Sequence, residues 1–223
     1  MTIGFVPIRA GSKSIEFKNI VALAGKPLVY WCLSAVQESY IDKIILYYDD
    51  VQLIDSLYQY DFPKIEKIRR SPESAMDEAS TEFAMLEYLE NYQHPLETIF
   101  MLIQATNPWI TKNDIDNCLE IEKDVVSVAK TNHFYWEHGK PSYDPLKRPR
   151  RQFYAGLMLE NGALYKSTVG HVLESGCRFT EPYQLYMMPD YTKLEIDTMA
   201  DLVQARALCR HYNCNPQELR DAL

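Results

Sequence analysis

The stretch Ile3-Gly4-Phe5-Val6-Pro7-Ile8, followed at once by Arg9-Ala10-Gly11-Ser12-Lys13 and then by Lys18-Asn19, decides the architecture of this 223-residue chain. An apolar run rich in Ile and Val, stopped by Gly and Ser, reads as a buried strand that delivers a loop. That loop is basic. Arg9, Lys13 and Lys18 fall within ten residues of one another in a protein of formal net charge -8. A local cation cluster on an acidic protein suits a small polyanion such as a triphosphate, and Asn19 adds a neutral donor and acceptor for a sugar hydroxyl or a base edge. Taken in isolation, the same residues equally describe a solvated turn after the first strand.

Outward from this strand the pattern repeats. Residues Pro27 to Val36 carry apolar side chains at helical spacing, with Pro27 at the first helical position. Lys43 to Tyr48 reads as a strand ending at Asp49-Asp50, Val51 to Tyr58 as a short helix, and Ile65 to Ile68 as a third strand. Ser80 to Tyr92 predicts an amphipathic helix behind a Ser or Thr cap, with Phe83, Leu86, Leu89 and Tyr92 as its apolar stripe. Thr98 to Ile103 is almost continuously apolar, as a central parallel strand covered on both faces requires. A helix over Ile110 to Glu122 opened by Thr111 and Asn113, strands over Val125 to Ala129, Asn161 to Tyr165 and Tyr183 to Met187, and a closing helix over Met199 to Tyr212 complete the series. Such alternation predicts an α/β fold of three layers, α/β/α and Rossmann-like, around a mostly parallel sheet with right-handed crossovers. Function then belongs at the carboxyl ends of the strands.

One domain spanning 1–223 accommodates all of this, with an excursion over 131–160. There Pro141, Pro145 and Pro149, several aromatic residues and the run Lys147-Arg148-Pro149-Arg150-Arg151 break the alternation. Apolar aromatics with little periodicity suit an arm that packs on another subunit, or an active-site lid.

Composition narrows the partners. The net charge argues against nucleic acid or an anionic membrane surface as a partner. No apolar stretch approaches the roughly 20 residues of a membrane span. Five scattered cysteines without a Cys-x-x-Cys pair, and no signal-like segment before Ile3, lead us to expect a soluble protein of the reducing cytoplasm. Cys209, His211 and Cys214 offer only three local ligands at a helix end, short of the four that a structural zinc takes. Neither Gly-x-x-x-x-Gly-Lys-Ser/Thr nor Gly-x-Gly-x-x-Gly occurs, and there is no serine nucleophile elbow. His94, His133, His138, His171 and His211 read as surface or supporting residues, with His133 nearest the site edge.

Four segments should meet at one sheet end: Arg9 to Asn19, Asp49-Asp50, Gln104 to Asn107, and Glu195-Ile196-Asp197. If the last is extended, its two carboxylates share a face about 6 to 7 Å apart, a platform for Mg²⁺. Asp197 also precedes a predicted helix and reads as its cap; the two roles can coexist.

The string Pro7-Ile8-Arg9-Ala10-Gly11-Ser12-Lys13, with Lys18-Asn19 and Gly25-Lys26-Pro27-Leu28, resembles the opening of the acylneuraminate cytidylyltransferases, the CMP-sialic acid synthetases. Arg70 with Pro72-Glu73 and Asp77, Gln104-Ala105-Thr106-Asn107-Pro108, Arg151-Gln152, Asn161-Gly162-Ala163-Leu164-Tyr165, and Glu195-Ile196-Asp197-Thr198 with Asp201 resemble further segments of that family, in order. The resemblance runs from residue 3 to about 208.

It implies a nucleotidyltransferase-like fold with an inserted dimerisation arm, a homodimer, and a Mg²⁺-dependent transfer from CTP to a nine-carbon 2-keto acid sugar. Arg9, Ser12, Lys13 and Lys18 would hold the CTP phosphates, and Arg9, Lys13, Lys18 and Asp197 would carry the catalysis. Asn19 and Arg70 would contact the nucleoside, Gln104, Arg151 and Tyr165 the sugar acid, and Glu195 with Asp197 the metal. Departures from the family pattern are Ser14 and Glu16 in the loop, Tyr47-Tyr48 before Asp49, Trp109-Ile110 after Pro108, Glu137 in the arm, and Glu195 in place of the first metal Asp. They leave two other outcomes open: a different 2-keto-3-deoxy acid such as 3-deoxy-manno-octulosonate, or a degenerate module that binds nucleotide without turnover.

Overall fold

The computed structural model describes residues 1–223. Strand β1 (Thr2–Pro7) leads into the basic loop and a small antiparallel pair, β2 (Ala22–Leu23) with β3 (Lys26–Pro27), before helix α1 (Leu28–Glu38). Next come β4 (Lys43–Tyr48), α2 (Val51–Asp55), β5 (Ile65–Arg69), α3 (Pro72–Ala75) and α4 (Thr81–Asn91). Strand β6 (Ile99–Ile103), α5 (Lys112–Leu119) and β7 (Asp124–Thr131) precede a hairpin of β8 (Trp136–Glu137) and β9 (Lys140–Pro141). The chain closes through β10 (Leu157–Thr168), α6 (Val169–Ser175), β11 (Tyr183–Met188), α7 (Met199–Tyr212) and α8 (Leu219–Ala222).

Seven strands form one sheet in the order β11-β7-β10-β6-β1-β4-β5. Every neighbouring pair is parallel except those of β10, which runs against both β6 and β7. The two-residue period of the strands then sorts the core into layers. Ile3, Phe5, Ile45, Tyr47, Phe100 and Leu102 face Ala84, Met85, Tyr88 and Leu89 of α4 and Val169 and Val172 of α6. Val6, Ile44, Leu46, Met101 and Ile103 face Val29, Cys32, Leu33 and Val36 of α1 and Ile115 and Cys118 of α5. A third cluster, with Trp109, Trp31, Ile196, Leu202, Ala205 and Leu219, ties α7 and α8 to the segment after β6. The architecture is the three-layer, mostly parallel α/β sandwich that the alternation predicts.

Several local expectations are corrected. The apolar stripe of α4 is Ala84, Met85, Tyr88 and Leu89, whereas Phe83 and Tyr92 are exposed. The Ser80 hydroxyl accepts from Phe83 N and fixes a helical phase that turns Phe83 outward. Pro27 is the N-cap of α1 rather than its first residue. Helix α2 stops at Asp55, and α5 is confined to Lys112–Leu119 by a capping box between Thr111 and Asp114. Strand β10 is far longer than Asn161 to Tyr165, because its first part pairs with β7 on the way out of the 131–160 excursion. Asp197 does not cap α7. Thr198 does, with Asp201 completing a capping box.

Candidate active site

Pro7 ends β1 at the carboxyl edge of the sheet, and the loop beyond it is held by its backbone. Ala10 N donates to both oxygens of Asp49, at 2.9 and 3.2 Å, just past the end of β4. The buried Asn19 donates from Nδ2 to the Arg9 carbonyl at 2.9 Å. The Ser14 hydroxyl donates to the backbone carbonyl of Asp197, so one of the loop's departures from the family pattern fastens it to the acidic segment. Glu16 is exposed and does not line the cleft.

This loop forms one wall of a cleft of about 240 Å³. Arg9, Ser12, Lys18 and Asn19 line it on that side, with Arg70, Ser74 and Thr81 on a second. Gln104, Thr106, Glu195 and Asp197 complete it. Eight of the eleven residues singled out from the sequence therefore share one cavity. Lys13 stands outside it, with a side chain 75% exposed, and pairs with Asp77 at 3.2 Å. Arg9 pairs with the same Asp77 at 3.2 Å and donates to the Met76 carbonyl at 2.9 Å.

Arg70 is almost wholly buried, with Nε donating to the Ser74 hydroxyl at 3.1 Å and Nη2 to the Ser74 carbonyl. Burial lowers its proton affinity, opposed by the charges of Asp49 and Glu87. Its guanidinium lies 5.8 Å from the Tyr47 ring centroid. Tyr47, one of the departures from the family pattern, is itself packed on Phe5 and Tyr88, with centroids 5.4 and 5.9 Å away. It serves as a platform beneath Arg70.

The acidic segment is set by β6 and its exit. Ile196 is buried and its N–H donates to the Thr106 carbonyl at 2.8 Å, so Glu195 and Asp197 fall on the cleft side. Trp109 is fully buried and donates from Nε1 to the Leu194 carbonyl at 2.6 Å, bracing the same segment. Asn107, also fully buried, donates to the carbonyls of Asn161 and Thr192 at 2.7 and 2.8 Å, joining β10 to this region.

Because Thr198 takes the capping role, the Asp197 carboxylate is free to pair with Lys18, at 2.7 Å. Glu195 accepts from the Thr106 hydroxyl at 2.6 Å. Burial pushes the Glu195 carboxyl above its ordinary range and the Asp197 charge adds to that, against the opposing pulls of Thr106, Lys18 and Arg178. Its carboxylate lies against Gly162, which has φ of +59°; a Cβ there would come within 2.3 Å of Glu195 Oε2. Two hard oxygen donors crowded together fit Mg²⁺, which is commonly held by one or two carboxylates plus substrate phosphates. No group of three or more His, Cys, Asp or Glu side chains is assembled to hold a metal, and Cys209, His211 and Cys214 form no ligand set.

Two residues drawn from the sequence lie elsewhere. Arg151 lines a separate hollow with Lys130, Asn132, His133, Asp190 and Lys193. Tyr165 is only 3% exposed, its hydroxyl donating to Glu160 at 2.9 Å and its ring lying 4.8 Å beneath the Arg178 guanidinium. Sequence reasoning placed Thr106 in one of the converging segments without giving it a role, and it missed Ser74 and Thr81, which line the cleft.

A model of a cytidylyltransferase family matches residues 3–161. N-acylneuraminate cytidylyltransferase B of Danio rerio is 31% identical over 209 residues, covering 86% of this chain and 48% of its own length. CMP-N,N'-diacetyllegionaminic acid synthase of Legionella pneumophila is 27% identical over 218 residues, 89% of this chain and 92% of its own. The chain spans about half the length of the first of the curated relatives it matches. Among solved structures, a CMP:2-keto-3-deoxy-manno-octonic acid synthetase complexed with CTP superposes with a TM-score of 0.65 at 15% identity, over 94% of this chain and 98% of that one. A 4-diphosphocytidyl-2C-methyl-D-erythritol synthase from Anaerococcus prevotii does so at 0.63 and 15%, over 93% and 96%. At these identities the superpositions establish a shared nucleotidyltransferase-like fold.

Proposed function

We propose, from the premise that this chain belongs to the cytidylyltransferase family, that it joins the CMP part of CTP to a nonulosonic, sialic-acid-like sugar and releases pyrophosphate. The observation that carries this is the single cleft in which the basic loop, Arg70, Gln104 and the Glu195/Asp197 pair meet. Cations on one side and carboxylates on another are what nucleotidyl transfer needs where charge builds on the α-phosphate and the departing pyrophosphate.

In this assignment Arg9, Ser12 and Lys18 hold the phosphates, with Lys13 at the rim. Asn19 and Arg70 bind the nucleoside. Gln104 contacts the sugar acid, whose anomeric hydroxyl is aligned for attack on the α-phosphorus. Glu195 and Asp197 would hold Mg²⁺, which when bound would supply charge neutralisation at the transferring phosphate. Lys18, already on Asp197, stands where it can bear on both metal ligand and phosphate.

A homodimer accompanies this function. The excursion leaves Trp136, Leu146 and Phe153 exposed at 64, 93 and 76%, which supports its covering by a second copy that brings Arg151 towards the neighbouring cleft. The five cysteines are unpaired, which suits the cytoplasm. No helix is long and apolar enough to cross a membrane.

The test is pyrophosphate release from CTP and Mg²⁺ with a panel of nonulosonic acids. Release with one or more members is expected. No release with any member, despite measurable CTP binding, would overturn the proposal.

A further inference from the structure

The cations of the cleft are already committed. Arg9 is tied to Met76 and Asp77, Lys18 to Asp197, and Arg70 to Ser74. In the function proposed above these cations serve the nucleotide, which leaves the charge of the acid acceptor without an assigned partner. Arg151, the arginine the sequence resemblance assigns to the sugar, opens into a different hollow.

Arg178 lies between α6 and β11. Its Nε donates to Glu82 Oε1 at 2.5 Å, and its guanidinium carbon stands 4.8 Å from the Tyr165 ring centroid. Tyr165 is buried beneath it, whereas the Arg178 side chain keeps 22% of its surface exposed. Whatever approaches Tyr165 from solvent on that side therefore meets Arg178 first. Glu82 directly follows Thr81, a wall residue of the cleft.

The segment is fixed from behind. Thr180 N donates to Asp124 Oδ2 at 2.9 Å, and the buried Asp124 also holds the Ser167 hydroxyl at 2.7 Å and His171 Nδ1 at 3.0 Å. Glu82 and Tyr165 thus set the side chain while Asp124 sets the backbone. The bond to Glu82 uses Nε, so a carboxylate would accept from the Nη donors, which Tyr165 also approaches.

We infer that Arg178 is a specificity-determining residue that binds the carboxylate of the acid acceptor, and that Glu82 and Tyr165 hold it in position to do so. This rests on the function proposed above and adds which residue reads the acceptor's charge.

The experiment measures KM and kcat for the parent protein and for Arg178→Met, Arg178→Lys and Arg151→Met. Each is assayed with an accepted nonulosonic acid and with the same sugar carrying a carboxamide in place of the carboxylate. Losing hydrogen bonds to a charged group corresponds to about ten- to a hundredfold in affinity. Arg178→Met should raise KM for the acid by that factor, move KM for CTP less than about twofold, and abolish the preference for acid over amide. Arg178→Lys keeps the charge and a partner for Glu82 but lacks the fork, so it should fold as the parent does and recover part of the preference. Its result decides the matter if the methionine variant fails to fold. Acid and amide affected equally by both Arg178 variants, or the preference lost in Arg151→Met and kept in the Arg178 variants, would overturn the inference while leaving the proposed reaction intact. A parent protein inactive with every acid would overturn both.

Discussion

Gly162 offers a test in which the expected effect follows directly from geometry. Its φ of +59° lies in the left-handed region, where an L-residue costs about 1 to 2 kcal/mol. The Cβ of Gly162→Ala would also fall 2.3 and 2.7 Å from the two Glu195 carboxylate oxygens, so Glu195 must leave its place. Moving it sacrifices the 2.6 Å bond from Thr106, and a hydrogen bond to a charged group is worth about 1.5 to 3 kcal/mol. Together these predict destabilisation of about 2.5 to 5 kcal/mol, or roughly 5 to 20 °C in Tm for a domain of this size. Urea and thermal unfolding read the first effect, and pyrophosphate release across a Mg²⁺ titration reads the second. If Glu195 is a metal ligand, its displacement should cut turnover at limiting Mg²⁺ by about ten- to a hundredfold. The double variant Gly162→Ala/Glu195→Ala removes the clash and should be more stable than the sum of the single changes by at least about 0.5 kcal/mol. A Gly162→Ala protein that melts and turns over like the parent, or single changes that simply add, would refute the claim that Glu195 is held against this glycine.

Other outcomes follow from the same geometry. Arg9→Ala and Asp197→Ala should each cut turnover by about a hundredfold or more if they stabilise transition-state charge, whereas near-normal rates in stopped assays would remove that role. Trp109→Phe keeps an aromatic ring but gives up part of the buried volume and the bond to the Leu194 carbonyl; about 1 to 3 kcal/mol of stability or more should go with it, together with a weaker response to Mg²⁺. For Glu82, burial pushes the carboxyl up, but bonding to Arg178 and the helix start outweighs this and holds it below its usual 4.5. A carboxyl with a lowered folded-state pKa gives stability that is fully present above the unfolded value and disappears as the pH falls through the folded one. The stability gap between the parent and Glu82→Gln should therefore stay level from pH 7 to about 5 and close below 4.5; a gap independent of pH would contradict the ion pair.

The layers were legible because parallel strands buried on both faces leave uninterrupted apolar runs, as at Ile3 to Ile8 and Ile99 to Ile103. The face of α4 was not. Phe83 and Leu86 compete with Ala84 and Met85 for the same period, and the cap at Ser80 together with the sheet's demand for Tyr88 against Phe5 decides between them. The cleft was readable as a set of strand-end segments, since the sheet's parallel order brings loops after β1, β4 and β6 to one edge. Asp197 was ambiguous because Asp and Thr are both good caps. The signal that resolves it, Thr198-Met199-Ala200-Asp201, is a capping-box pattern written one residue further on. Arg178 carried no such mark. Its meaning arises only where β10, running against its neighbours, places Tyr165 beneath a turn some thirteen residues later in the chain.

The shared pairing of Asp77 with Arg9 and Lys13 makes it an internal counter-ion for the basic loop. On the proposed function an arriving triphosphate would trade places with a carboxylate the protein already owns, so fewer salt ions would be set free than the number of cations suggests. Nucleotide capture would in that sense be an exchange of partners, and its dependence on ionic strength would report how far Asp77 lets go.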